Sequence, residues 1–194
     1  MQQIKIRLTG VAALLMHNNR TVDRFDPITK QIKEITKKTA RNKTDEDELE
    51  LRRLEWSAGL YLDEKGEPCL TANMVLGMTV AGARKARLGK HAEAAVYELQ
   101  ATYSLKYDGP RTVDELYAAG KFEDVRSVKL SKDKSIMRTR PIFGGWSCDI
   151  SLMFDETVLD RSALIKAIEV AGEQIGIGDY RPRFGRFTIE LLSS

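Results

Sequence analysis

The sequence predicts an α+β protein whose core elements run in the order strand, helix, strand, strand, helix, strand. Several short segments alternate apolar and polar residues, which indicates half-buried strands. Two longer segments repeat apolar residues every three or four positions, which indicates amphipathic helices. With 42% hydrophobic and 30% charged residues, the 194-residue chain is typical of a globular domain that buries a core.

These periodicities place the six core elements along the chain. They are a strand over residues 4–16, a helix over 71–87, strands over 97–107 and 146–154, a helix over 164–175 and a strand over 187–191. This order is the split βαβ, or ferredoxin-like, arrangement. With right-handed crossovers, both helices cover one face of an antiparallel sheet and leave the other face open to bind a ligand.

Two insertions are predicted within a single domain of residues 1–194. The first, residues 18–58, is helical: Asp26 before a proline marks one helix start, and Thr44 with an acidic residue three positions on marks another. Leu54 lies on the buried stripe predicted for the second helix, whereas Trp56 lies off it. The second insertion, residues 121–143, reads as a basic β-hairpin around a polar turn.

The segment 176–187 is the first candidate site. It combines three glycines, which permit left-handed or crowded backbone, with three arginines, whose forked donors suit phosphate oxygens. Its candidate nucleic-acid-binding residues are Gly176, Gly178, Tyr180, Arg181, Arg183, Gly185 and Arg186. The alternative is a structural turn whose arginines are merely solvated.

The basic hairpin is the second candidate site. Residues 121–140 hold seven basic and three acidic residues, and the cations expected to grip phosphates are Lys129, Lys132, Lys134, Arg138 and Arg140. Arg138 and Arg140 alternate, so they share one face of a strand. The alternative is a solvated edge, because edge strands are often lysine-rich to prevent aggregation.

The end of the first strand is the third candidate site. His17 and Asn18 would contact sugar or base, and Arg20 a phosphate; a histidine at a strand end is otherwise a structural group. Asp23 and Asp26 have the chemistry of magnesium ligands, although Asp26 is better explained as a helix cap. No nucleophile with a partner at a recognisable spacing, no P-loop and no HExxH motif occurs in the sequence.

Composition limits the remaining possibilities. Cys69 and Cys148 stand far apart without metal-ligand spacing, so we expect both to be buried and reduced. No apolar run is long enough to cross a membrane and no signal-peptide block opens the chain, so we expect a cytoplasmic protein without a membrane partner or cofactor. The net charge of +3 favours anionic partners only mildly. The tyrosines of residues 97–107 would form either a base-stacking platform or part of the core.

Three features together resemble a known family. The long first strand runs into Leu-Leu-Met-His-Asn, the core order is ferredoxin-like, and Gly-Ile-Gly-Asp-Tyr-Arg-Pro-Arg-Phe-Gly-Arg-Phe precedes the last strand. The chain thus resembles the RAMP (repeat-associated mysterious protein) superfamily, specifically CRISPR backbone subunits with a modified RNA-recognition-motif (RRM-like) fold, and similar phage and prophage proteins. This resemblance implies a glycine-rich loop that contacts nucleic acid and polymerisation along a guide strand.

Together these observations favour a cytoplasmic binder of single-stranded nucleic acid, of phage or prophage type, rather than an enzyme. Head-to-tail homo-oligomerisation would coat the strand, with the acidic residues 45–50 and the basic residues 30–43 as opposite poles. Three alternatives stay open: a metal-dependent or histidine-based ribonuclease, a CRISPR effector backbone subunit, and a mimic or inhibitor of such a subunit that binds protein only.

Overall fold

The computed structural model of the chain describes residues 1–39, 41–129, 131–133 and 135–193. The chain forms two compact units, each assembled from separate stretches of sequence. The first unit comprises Met1–Leu15, Leu62–Gly109 and Phe143–Ser194, and the second comprises Met16–Tyr61 and Pro110–Ile142. The predicted helical insertion therefore lies in the second unit, as does all but the last residue of the predicted basic hairpin.

The described residues form nine strands and six α-helices, which confirms the predicted mixed α+β class. The strands are β1 (Gln2–Gly10), β2 (Leu14–Leu15), β3 (Cys69–Thr71), β4 (Val96–Glu98), β5 (Thr102–Lys106), β6 (Glu123–Lys129), β7 (Ser135–Phe143), β8 (Ser147–Phe154) and β9 (Phe187–Leu192). The helices are α1 (Pro27–Thr36), α2 (Asp45–Gly59), α3 (Ala72–Lys85), α4 (Gly89–Ala95), α5 (Val113–Ala118) and α6 (Arg161–Val170). A 3-10 turn precedes α1, and a π-helical turn extends α6.

An antiparallel sheet organises the first unit. Its strands lie in the order β3-β5-β8-β1-β9, and β4 also pairs with β8. Alternate residues of β1 and β8 point to one face, where Ile6, Leu8, Cys148 and Ile150 are almost completely buried. Helices α3 and α6 lie so close together that a Cβ added to Gly82 would overlap the backbone carbonyl of Ala167. The buried apolar side chains of β1 and β8, together with these two helices, form the core of the first unit.

The opposite face of this sheet is polar. Arg7 lies directly across from Asp149 and donates from Nε to its Oδ1 over 2.7 Å, and Lys106 Nζ lies 2.6 Å from Oδ2. The hydrogen bond from Arg7 and the nearby Lys106, acting against partial burial, lower the pKa of Asp149 to about 2. Tyr97 is the one aromatic side chain on this face in the part of the chain that the structure describes. A sheet-wide stacking platform is therefore not formed.

Asp149 should make the stability of the protein pH-dependent in the acid range. Because its pKa is lower when folded than when unfolded, its stabilisation is present above about pH 4 and is lost as the pH falls towards 2. We expect Asp149→Asn to cost about 1 kcal/mol at neutral pH and to flatten the loss of stability between these values. Urea unfolding across this pH range measures the effect. Glu93→Gln, which removes an exposed carboxylate from the same unit, should leave the pH profile of the wild type, and an identical profile for Asp149→Asn would contradict the assignment.

The second unit is built from helices and one hairpin. As predicted, Asp26 caps α1 and Thr44 caps α2 with a capping box. Strands β6 and β7 pair in antiparallel register from Glu123↔Pro141 to Lys129↔Ser135, which confirms the hairpin. Trp56 is completely buried and donates from Nε1 to the carbonyl oxygen of Phe122 over 2.8 Å, so its predicted position outside the buried stripe was wrong. Packing against residues that are distant in sequence decides the burial of Trp56, and helical spacing does not reveal such packing.

Two predicted strands are each divided. The first strand ends at Gly10, and the chain bends before β2. Trp146 stabilises this bend by donating from Nε1 to the carbonyl oxygen of Ala12 over 2.9 Å. The stretch 97–107 forms the separate strands β4 and β5, since residues 99–101 leave the ladder. Cys69 and Cys148 are buried and free, as predicted, and burial raises the pKa of Cys148 to about 12. Within the described residues, no helix is long and apolar enough to span a membrane.

Candidate nucleic-acid interface

Residues 176–187 form the arginine loop of the first unit, which runs from the end of the π-helical turn to Phe187, the first residue of β9. The loop is closed at its base, where the Ile177 N–H donates to the carbonyl oxygen of Gly185 over 2.8 Å. Its backbone is also bound to the start of the chain: the Gly185 N–H donates to the carbonyl of Ala13, and the Asp179 N–H to that of Leu15, each over 2.8 Å. These backbone hydrogen bonds hold the two ends of the arginine loop in place.

The glycines of the arginine loop are required by this packing. Gly176, Gly178 and Gly185 all have left-handed backbone, with φ of 80°, 86° and 70°. A Cβ added to Gly178 would lie 2.5 Å from the carbonyl oxygen of Leu15, and one added to Gly185 would lie 2.7 Å from the carbonyl carbon of Ile177. Such separations are too short for any L side chain. The close neighbours of these glycines are therefore the protein's own backbone.

The arginines of the loop point to solvent. Arg181, Arg183 and Arg186 are all exposed, and none forms an ion pair with a residue that the structure describes. Tyr180 is 51% exposed and has left-handed backbone with φ of 53°, a conformation that costs energy for a residue with a side chain. A groove of about 520 Å³ runs beside the loop, lined by Gln174, Tyr180 and Arg181 among others. Three cations and part of an aromatic ring thus face solvent, where a ligand can reach them.

The third predicted site, at the end of the first strand, lies in the second unit. His17 is exposed, and its carbonyl accepts from the Tyr61 hydroxyl over 3.1 Å. The Asn18 side chain caps the 3-10 turn by accepting from the Arg20 N–H over 3.1 Å and donates to the carbonyl of Leu60. The guanidinium of Arg20 binds Asp26 at 2.7 Å. The side chains of Asn18 and Arg20 therefore make contacts within the protein, and binding to nucleic acid would have to share or replace these contacts.

Asp23 and Asp26, the two candidate magnesium ligands, accept hydrogen bonds from other groups of the protein. Burial raises the pKa of Asp26, but hydrogen bonds from Arg20 and from the N–H groups of Thr29 and Ile28 outweigh it and lower that pKa overall. Asp23 accepts from the N–H of Phe25 over 2.8 Å. Among the described residues, no group of three or more His, Cys, Asp or Glu side chains is placed to hold a metal ion.

The basic hairpin divides into an exposed end and a half-buried end. Lys129 and Lys132 are exposed close to the turn, and Lys134 lies outside the described residues. Towards the other end, Arg138 forms an ion pair with Glu55 of α2, and Arg140 is only 8% exposed. Arg138 and Arg140 lie on the same face of β7, and that face packs within the second unit. Both arginines therefore point towards the interior of the unit and not away from an open edge.

A cavity of about 260 Å³ brings two predicted sites together within the second unit. His17 and Asn18, from the end of the first strand, line it with Arg138 and Arg140, which follow more than a hundred residues later. Lys33 of α1 also lines the cavity, although it was not among the predicted site residues. Lys33 is one of several lysines in residues 30–38, and the spacing of these lysines does not show which of them faces a cavity.

The described residues define a mixed α+β protein with antiparallel sheets, an exposed arginine loop on the first unit and a basic cavity in the second. The sequence matches no known family model, and no curated protein is significantly similar to it.

Proposed function

We propose that this protein binds single-stranded nucleic acid without regard to sequence and oligomerises along the strand. The observation that carries the proposal is the arginine loop, where Arg181, Arg183 and Arg186 are solvent-exposed and not ion-paired with any described residue. Guanidinium groups bind phosphate oxygens in bidentate fashion. Tyr180 at the same tip would stack on a base, an interaction that tolerates any sequence.

The fold supports this proposal through the arrangement of its first unit. We infer a ferredoxin-like core, in which β1, α3, β5, β8, α6 and β9 follow one another and the four strands lie in the antiparallel order β5-β8-β1-β9. This is the order that the RAMP resemblance implies, and the arginine loop enters the edge strand β9. Because the open sheet face is polar and has one aromatic side chain within its described part, the loop rather than the sheet is the expected binding element.

Salt dependence tests the proposal. Fluorescence anisotropy with labelled single-stranded DNA and RNA should show binding that weakens as salt rises, with a log–log slope of about −2 if the three loop arginines each neutralise one phosphate. Size-exclusion chromatography with an oligonucleotide long enough for several copies should yield assemblies larger than the protein alone forms. Absence of binding at low salt, or an affinity independent of salt, would refute the proposal and favour a protein-only partner.

A further inference from the structure

An apolar groove of about 310 Å³ lies between helices α3 and α6 of the first unit. Alanines of both helices, together with Val170, line most of it. Within the described part of the chain, the two charged residues of its lining are both lysines, Lys85 and Lys166. Lys166 pairs with Glu169 of its own helix at 3.1 Å, whereas Lys85 is exposed and forms no ion pair with a described residue. The groove therefore combines apolar walls with a positive charge at its margin.

The C-terminal end of α3 adds further positive charge beside this groove. Arg84, Arg87 and Lys90 are exposed there together with Lys85, and none of the four forms an ion pair with a described residue. The exposed acidic residue that follows them most closely in sequence is Glu93 of α4. Four cations within seven residues thus outnumber the neighbouring carboxylates, and an acidic apolar segment would suit the groove and its margin.

Helix α2 of the second unit carries such a segment. Leu49 is 60% exposed although it is a large apolar residue, and helical spacing places it on the same face as Asp45 and Glu46 of the first turn. Neither of these carboxylates forms an ion pair with a described residue. Two arginines follow Leu49 one turn later, so the negative charge is concentrated at the start of the helix.

The basic residues 30–43, predicted as the opposite pole for docking, are partly paired within one chain. Lys38 binds Asp47 at 2.6 Å, and Lys43 binds Glu48 at 2.7 Å. These lysines therefore neutralise part of the acidic segment of their own copy. The cations at the end of α3 make no such pairs with described residues, so they are better suited to the acidic segment of another copy.

We propose that the groove between α3 and α6 receives the start of α2 from a second copy of the chain, with Leu49 in the groove and Glu46 facing Lys85. Charge complementarity selects this occupant, because the groove margin is basic and the start of α2 is acidic. The groove and the helix are different surfaces, so the contact is heterologous, and each pair leaves one of each open for the next copy. The inference rests on the self-association in the proposed function and names the surfaces that would produce it.

The contact should be weak in the protein without nucleic acid. One end of a helix in a groove of this size is a small interface, and small interfaces belong to transient complexes. Copies bound to one strand have a high effective concentration for each other, which strengthens a weak contact without adding atoms to it. We therefore expect self-association that rises with protein concentration and is enhanced by a long strand.

Sedimentation velocity over a concentration series, without nucleic acid, tests the contact. Leu49→Gln removes the apolar anchor, and Ala86→Glu puts a carboxylate into the groove, so each should weaken self-association at least about tenfold. Leu99→Gln and Ala94→Glu make the same changes at exposed positions of the first unit that do not line the groove. They should change the association less than about twofold. Equal effects of the variants and these controls would refute the proposal.

A mixture of the two variants distinguishes a heterologous contact from a symmetric one. The Leu49→Gln protein keeps an intact groove, and the Ala86→Glu protein keeps an intact helix. An equimolar mixture should therefore form heterodimers with nearly the affinity of the wild type, and nothing larger, because each pair contains one intact contact. A mixture that stays monomeric would show that the two surfaces do not meet.

Reversing the charges provides a second test that does not depend on either variant. Glu46→Lys and Lys85→Glu both change exposed side chains, and each alone should weaken the association about threefold or more. The two changes combined in one chain should restore it, since every contact then joins the lysine of one copy to the glutamate of the next. An absence of rescue, with circular dichroism showing all variants folded, would overturn the assigned pairing.

The failure of this inference and that of the proposed function are distinguishable. A wild-type protein that binds single strands but sediments as a monomer at every concentration, and whose copies bind a long strand independently, would overturn the docking of a second copy. Nucleic-acid binding would then stand, and the groove would be left to another protein or to an aliphatic ligand. Self-association that follows the variants above, in a protein that binds no single strand, would refute nucleic-acid binding and support the docking surfaces.

Discussion

Replacing Gly185 with alanine should destabilise the protein by about 3 kcal/mol. The left-handed backbone at this position, with φ of 70°, costs an L residue about 1–2 kcal/mol. The added methyl group would also overlap the carbonyl group of Ile177, the residue whose N–H closes the arginine loop by donating to the carbonyl oxygen of Gly185. Such forced overpacking costs about 1–3 kcal/mol. Urea unfolding of the purified variant measures the effect, which is a large part of a typical domain's stability.

Gly66→Ala is the matched control for this effect. Gly66 lies in the same unit with φ of 77°, but a Cβ there would meet nothing within 4 Å. It should therefore cost only the conformational part, about 1–2 kcal/mol. Equal destabilisation by the two variants would show that the loop does not pack against itself as the structure indicates. If Gly185→Ala remains folded, its affinity for single strands should also fall, because the loop is displaced.

Replacing Arg181, Arg183 and Arg186 together with glutamine should weaken single-strand binding about 100-fold at low salt. Each hydrogen-bonded guanidinium–phosphate pair is expected to contribute about 1 kcal/mol to binding, and every 1.4 kcal/mol is a factor of about ten in affinity. The slope of log affinity against log salt should become shallower by about 2, since three phosphates are no longer neutralised. Stability should hardly change, because the three side chains are exposed and make no described ion pairs.

The control for this experiment removes the same charge from other places. Arg41, Arg52 and Arg161 are likewise exposed, and their joint replacement with glutamine lowers the net charge by the same three units. A general electrostatic attraction would weaken equally in both triple variants. A specific loop contact requires the decrease in affinity to be at least about tenfold greater in the loop variant. Anisotropy titrations at matched salt distinguish the two outcomes.

Part of the fold could be predicted from local sequence rules. The caps at Asp26 and Thr44, the hairpin and the antiparallel α+β class all depend on neighbouring residues or on short periodicities, and the structure confirms them. The burial of Trp56 and the break after Gly10 depend on Phe122 and Trp146, residues far away in sequence. Short-range patterns contain no information about such contacts, so these features were missed.

The candidate site shows the same division. The sequence alone identified the glycines and arginines of residues 176–187, because left-handed turns need glycine and exposed phosphate sites favour arginine. Only the tertiary structure decided that the glycines pack on the chain's own backbone while the arginines face solvent. It likewise turned Arg138 towards Glu55 and placed His17, Lys33 and Arg140 around one cavity. The type of a side chain fixes which contacts it can make, whereas the packing of distant segments fixes which of them it makes.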